Sequence, residues 1–124
     1  MAAGGGMDPE RVARRRALGV AGEDLAAAWY VGRGCQVLAR NWRCREGELD
    51  LIVRDGRSIV FCEVKSRSSL AFGSPLEAVT ATKRRRIRVL AARWLSQASV
   101  RPGPLRFDVA AVLDGELEVV EGAF

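Results

Sequence analysis

Histidine is absent from all 124 residues. That absence removes Ser–His–Asp and Cys–His catalysis, imidazole general bases and histidine-ligated zinc. Cysteine is scarce. Cys35, Cys44 and Cys62 are odd in number and widely spaced, so they read as free thiols of a reducing compartment rather than as a disulfide framework or a zinc site. Neither a phosphate-loop glycine–lysine motif nor a dinucleotide-binding glycine motif occurs, so nothing supports a nucleotide-binding loop. No stretch approaches the roughly 18 unbroken apolar residues of a membrane helix. The opening MAAGGGMDPE lacks the basic-then-apolar order of a signal peptide. The expected location is the cytoplasm, away from membranes. Any catalysis must be carried by carboxylates and lysines.

What is abundant is positive charge. Twenty Lys and Arg oppose fifteen Asp and Glu, for a net charge of +5 and a pI near 9.9. Such a balance favours a polyanionic partner. The length suits one domain. Six small or flexible residues precede Met7, an alternative initiator, so residues 1–7 are expected to be disordered and residues 8–124 to form a single domain. Asp8-Pro9 can cap and open a helix. Apolar residues then recur at helical spacing through Leu18, Ala21, Leu25, Ala28 and Trp29, until Gly32 and Gly34 end it. Residues 35–43, 48–54 and 58–65 read as strands. Residues 66–74 form a polar loop, and Pro75 opens a second helix to about Ala98, with a stripe of Leu76, Val79, Ile87, Leu90, Ala91, Trp94 and Leu95. Residues 101–104 (RPGP) break the chain. RFDVAAVLD (106–114) and ELEVV (116–120) are two further strands about Asp114-Gly115.

The stretch GELDLIVRDGRSIVFCEVK (47–65) carries acids inside its strand pattern. With Asp55-Gly56 as the turn of a hairpin, Arg54 pairs with Arg57, Ile52 with Ile59, Asp50 with Phe61 and Glu48 with Glu63. Side chains alternate along a strand, so Glu48, Asp50, Glu63 and Lys65 project from one face. Like charges placed opposite each other destabilise a sheet, and dehydrating carboxylates costs several kcal/mol each. A hard divalent cation, Mg²⁺ or Mn²⁺, resolves the conflict with oxygen ligands alone. The bland alternative is an exposed face carrying acids and bases as solubility devices. Against it, the same face holds Ile52, Ile59 and Phe61.

An acid on one strand followed by Glu-x-Lys on the next resembles the PD-(D/E)xK nuclease superfamily, which includes restriction endonucleases and Holliday junction resolvases. More closely, the chain is identified as a member of the YraN-like bacterial family, itself largely uncharacterised. The matching stretches are GEDLAA (22–27), NWRCREGELDLIVRD (41–55), VFCEVKSR (60–67), FGSPLEAV (72–79), the helix from Lys83 and RFDVAAV (106–112). The resemblance implies a restriction endonuclease-like three-layer α/β fold, a central mixed sheet flanked by helices in αβββαβ order. It implies a metal-dependent endonuclease acting on DNA, with Asp50 and Glu63 as metal ligands and the Val64 carbonyl as a third. Lys65 would orient the attacking water or stabilise phosphate charge, and Glu23 of the first helix would complete the catalytic set. Leu49 stands where the superfamily often has proline. Resolvase relatives suggest a homodimer.

Other residues keep two readings. Glu23 by itself reads as a solvated helix charge well off the apolar stripe. Glu48 can bind metal through water or pair with Lys65 or Arg67, and Arg67 can contact phosphate or balance the acids. Lys83, Arg84, Arg85 and Arg88 are the candidate nucleic-acid contacts. Arg84, Arg85 and Arg88 lie away from the apolar stripe, and Lys83 is close enough to its edge to turn towards the site. Arg11, Arg14, Arg15 and Arg16 form a second basic cluster. Trp29, Trp42 and Trp94 read as packing residues, and Asp108 as a buried partner for an arginine. Two other function classes stay open: a nuclease fold that holds nucleic acid without cutting it, and an interaction module that docks an acidic protein through its basic helix.

Overall fold

The computed structural model describes residues 9–67 and 79–124, apart from the side chains of residues 11–19 and Arg67. The expected disorder of residues 1–7, the Asp8 cap, the residue 68–74 loop, Pro75, Leu76, the side chains of Leu18 and of the Arg11–Arg16 cluster, and that of Arg67 lie outside what it describes. The elements run α1 (Pro9–Gly32), β1 (Gln36–Cys44), β2 (Gly47–Asp55), β3 (Ser58–Arg67), α2 (Ala81–Gln97), β4 (Leu105–Leu113) and β5 (Glu116–Val120). The five strands form one mixed sheet in sequential order. Only β3 and β4 are parallel, joined by the α2 crossover. The helix–three strands–helix–two strands order read from the sequence holds. No described helix is long and apolar enough to cross a membrane.

The sheet has a core on each face. Ile52, Ile59, Phe61, Phe107 and Val109 meet Ile87, Leu90, Ala91 and Trp94 of α2. Leu51, Val53, Val60, Cys62 and Ala110 meet Ala26, Ala27 and Tyr30 of α1. On the α2 side Phe61 stands edge-on to Trp94 at 5.9 Å and stacks on Phe107 at 5.5 Å, contacts worth about 0.5–1.5 kcal/mol each beyond their burial.

α1 does not pack through the expected stripe. Ala21, Leu25 and Ala28 are exposed, Trp29 is half-buried, and the buried positions are Gly22, Ala26, Ala27 and Tyr30. The cause is close approach. A Cβ on Gly22 would stand 2.0 Å from Ser66 Oγ, so α1 lies nearer the sheet than a leucine stripe permits. Glu23 therefore sits in the middle of the packed face rather than off it. Gly22→Ala is expected to lower the melting temperature, because overpacking costs about 1–3 kcal/mol against a helix-propensity gain of about 1 kcal/mol. Ser66 Oγ has no hydrogen-bond partner among the described residues. Adding Ser66→Ala should thus restore stability to at least the parental value in thermal melts, since the remaining neighbours lie at 3.4 Å or more. A double variant no more stable than Gly22→Ala would refute this cause.

The β2–β3 register also differs from expectation. The pairs are Leu51↔Cys62, Ile52↔Phe61, Val53↔Val60, Arg54↔Ile59 and Asp55↔Ser58. Gly56, at φ +59, is the first of two central turn residues with Arg57 the second, the glycine-first arrangement of a type II′ hairpin. Asp55 stays in the strand because its carboxylate accepts from Arg106 Nη1 at 2.9 Å. The second Asp-Gly behaves differently. Asp114 and Gly115 both have positive φ, 49° and 83°, and are the turn itself, with Leu113 paired to Glu116.

α2 begins at Ala81, later than Pro75. Thr80 is its cap, accepting from the Lys83 N–H at 3.2 Å, with Val79 and Thr80 non-helical. Asp108, expected to partner an arginine, does so with no exposed surface. Arg106 donates to it through Nε at 2.9 Å and Nη2 at 3.0 Å, the Tyr30 hydroxyl donates at 2.6 Å, and the Gly122 N–H at 2.9 Å. Burial and this hydrogen bond to Asp108 both push the Tyr30 hydroxyl's pKa upward.

Candidate metal centre

Asp50 lies where the sheet comes apart. The β2–β3 pairs end at Leu51↔Cys62, and the Asp50 carboxylate takes the Val64 N–H at 2.9 Å in place of a ladder carbonyl. On the other side Arg40 pairs with Leu51 and Trp42 with Leu49, while Asn41 between them has φ +50. The side-chain alternation breaks here too: Leu51 faces the α1 core, yet Leu49, two residues earlier, faces the α2 core. The expectation that Glu48, Asp50, Glu63 and Lys65 share one face is therefore corrected. The split opens this end of the sheet to both helix layers.

The two layers deliver different groups. From the α1 side Glu23 joins Glu48 and Asp50, and one carboxylate oxygen from each lies within 4.8 Å of the others. From the α2 side Lys83 Nζ reaches Glu63 Oε2 at 2.8 Å, with Lys65 Nζ at 3.9 Å from the same oxygen. The Thr80 cap on the Lys83 N–H fixes the first turn of α2 and so aims this side chain. Glu63 is 7% exposed and hydrogen-bonds to Asp50, linking the two halves.

The electrostatics divide accordingly. Burial, the Glu63 hydrogen bond and charge, and Glu23 push Asp50 up to about 8, against the opposing Val64 N–H. Although burial acts the other way on Glu63, its hydrogen bond with Asp50 and its two lysine partners hold it below the usual carboxylate range. Burial and the neighbouring Lys83 lower Lys65, whereas Lys83 is raised by Glu63 in spite of burial. Arg43 Nε pairs with Glu48 at 3.2 Å at the rim. Negative charge thus remains uncompensated around Asp50 and Glu23. Three converging oxygen donors with no nitrogen or sulfur ligand fit a hard divalent cation.

Residues 22–112 match the pattern of the uncharacterised protein family UPF0102. The chain belongs to this family. It is the YraN-like family identified from the motifs. A UPF0102 protein of Beutenbergia cavernae is 55% identical over 97 residues, covering 78% of this chain and 82% of the relative. One from Nocardia farcinica is 53% identical over 103 residues, 83% of this chain and 81% of its own. One from Rhodococcus opacus is 47% identical over 118 residues, 91% of this chain and all of its own. The UPF0102 match contains Glu23, Glu48, Asp50, Glu63, Lys65 and Lys83.

The structure brings Glu23, Asp50, Glu63 and Lys65 together, and adds Glu48 and Lys83. The converging carboxylates are Glu23, Glu48 and Asp50, whereas Glu63 is occupied by lysine. Val64, expected to offer its carbonyl, is tied to the site by its N–H. Of the other basic residues on α2, Arg84 donates from Nε to the Val79 carbonyl at 2.9 Å and lies over the Phe124 ring. Arg88 lies 4.4 Å over the Phe107 ring, and Arg85 is exposed, touching Thr82 at 3.4 Å. Hydropathy alone misplaced Glu23; the small residues at 22, 26 and 27 were the signal of the buried face.

Proposed function

We propose that this chain is a Mg²⁺- or Mn²⁺-dependent nuclease of the PD-(D/E)xK kind, acting on DNA. The observation that carries the reading is the convergence of the Glu23, Glu48 and Asp50 oxygens beside Lys65. Asp50, Glu23 and Glu48 would hold the cation. When bound, it would supply Lewis acidity at a phosphoryl oxygen and a more acidic water. Asp50 is held by the Val64 N–H, so its carboxylate is oriented before any ligand arrives. Glu63 keeps the Lys65 ammonium at the mouth of the site, where it can meet a phosphate oxygen. Lys83 neutralises Glu63 and brings a second cation to the same edge. Exposed Arg85 is placed for a backbone phosphate.

The test is calorimetric titration of Mn²⁺ into the parent and into Glu23→Gln/Glu48→Gln, followed by cleavage assays on branched, duplex and single-stranded DNA. The expected result is saturable binding weakened at least ~10-fold in the variant, with metal-dependent cutting of at least one substrate. Equal affinity in both proteins would end the assignment.

One observation favours a second reading, a nuclease fold that grips nucleic acid without cutting it: the 2.8 Å Lys83–Glu63 ion pair withholds Glu63 from any cation. DNA binding indifferent to chelator, with no cleavage, would select it.

A further inference from the structure

The far end of the β2–β3 hairpin carries an open cavity of about 640 Å³, lined by Arg54, Gly56, Arg57, Arg101 and Pro102. Three guanidinium groups belong to its wall, and none of them has a carboxylate partner among the described residues. The nearest acid in sequence, Asp55, is taken up by Arg106.

The wall is held in place. Arg54 Nη2 donates to the Arg101 carbonyl at 2.8 Å. The Ile59 N–H donates to the Pro104 carbonyl at 2.8 Å. Gly103 lies so close to the hairpin that a Cβ there would stand 1.9 Å from the Arg57 carbonyl oxygen. The 98–104 connection between α2 and β4 is therefore docked on the turn, and Arg101 is fixed beside Arg54 and Arg57. Unpaired guanidinium groups around a preformed recess suit a tetrahedral oxyanion, because each fork can donate two parallel hydrogen bonds.

We propose that this recess is a phosphate-binding site and that it takes a backbone phosphate of the nucleic acid engaged at the carboxylates. Asp50 and Arg54 are four strand residues apart, about 13 Å at ~3.3 Å per residue. At 3.4 Å per base pair along one strand, that is a separation of about four base pairs. The recess thus gives the chain a second grip on one side of the reacting bond. The phosphate chemistry stands by itself; the nucleic-acid assignment rests on the nuclease reading.

The experiment has two arms. Inorganic phosphate is titrated into ¹⁵N-labelled parent and Arg57→Gln/Arg101→Gln, both substitutions being at exposed positions. Saturable shifts at the Gly56 and Arg57 amides of the parent are expected, with the Gly56 response lost in the variant and its melting temperature unchanged. No saturable shift in the parent overturns the site. In the second arm, a fluorescent 20-base-pair duplex is titrated in EDTA across a range of salt concentrations. The variant is expected to bind at least ~10-fold more weakly, with a salt slope smaller by about 2, one unit per lost phosphate contact. An unchanged slope alongside intact phosphate shifts makes this a free-phosphate site and overturns its nucleic-acid role, leaving metal binding and cleavage to judge the nuclease reading separately. No duplex binding by the parent overturns that role together with the DNA reading, whatever the phosphate arm shows.

Discussion

Asp50→Asn is expected to abolish metal-dependent cleavage, reducing it by at least ~10³-fold, while leaving the fold intact. The carboxylate touches every part of the centre: the Val64 N–H, Glu63, and the oxygens of Glu23 and Glu48. Asparagine keeps the shape and an oxygen for the Val64 N–H, so the local backbone retains its partner. What disappears is the charge. Loss of Lewis-acid stabilisation removes several kcal/mol from the transition state, and each 1.36 kcal/mol is tenfold in rate. The metal-free variant should melt at or a few degrees above the parent, because one of several crowded like charges has gone. A variant that melts far lower and still binds Mn²⁺ would make Asp50 a structural residue. Lys65→Ala provides the contrast: cleavage should fall while calorimetric metal affinity stays near the parental value.

Asp108→Ala should produce the largest loss of stability. The side chain is fully buried and accepts four hydrogen bonds, two from Arg106 and one each from Tyr30 and the Gly122 N–H. Alanine leaves a buried hydroxyl and part of a guanidinium without their acceptor. Breaking a buried charged pair costs about 3–5 kcal/mol, and for a chain of this size that corresponds to more than ~10 °C in melting temperature. Tyr30→Phe removes a single donor and should cost only about 1 kcal/mol. Equal effects from the two substitutions in thermal melts would show that Arg106 gains nothing from Asp108.

The order of elements was legible because helix and strand periods differ and because glycine and proline punctuate them. Position within elements was less legible. The Asp55-Gly56 pair carries the same letters as Asp114-Gly115, yet only the second is a turn centre. The difference lies in Arg106, 51 residues away, which holds Asp55 in its strand; no local rule contains that contact. The two-residue shift preserved the faces of Ile52 and Phe61 and brought Glu63 to Asp50 instead of Glu48. The face of α1 was misread because hydropathy rewards leucine, whereas a helix laid against a sheet at Gly22 selects glycine and alanine. Asp108 was readable, since an acid in an apolar strand two residues from an arginine has few other satisfactory partners. The break in alternation at Asp50 was not, because it depends on a neighbouring strand bending at Asn41.

The Gly22–Ser66 contact has a consequence for ion choice. Glu23 arrives on a helix and Asp50 on a strand, so the gap between their oxygens is set by the spacing of two layers rather than by either side chain. Mg²⁺ requires ligands at about 2.0–2.1 Å and Ca²⁺ at about 2.3–2.6 Å. Atoms added at position 22 or removed at position 66 would act as a shim under α1, shifting the preferred ionic radius from a place that touches no ion.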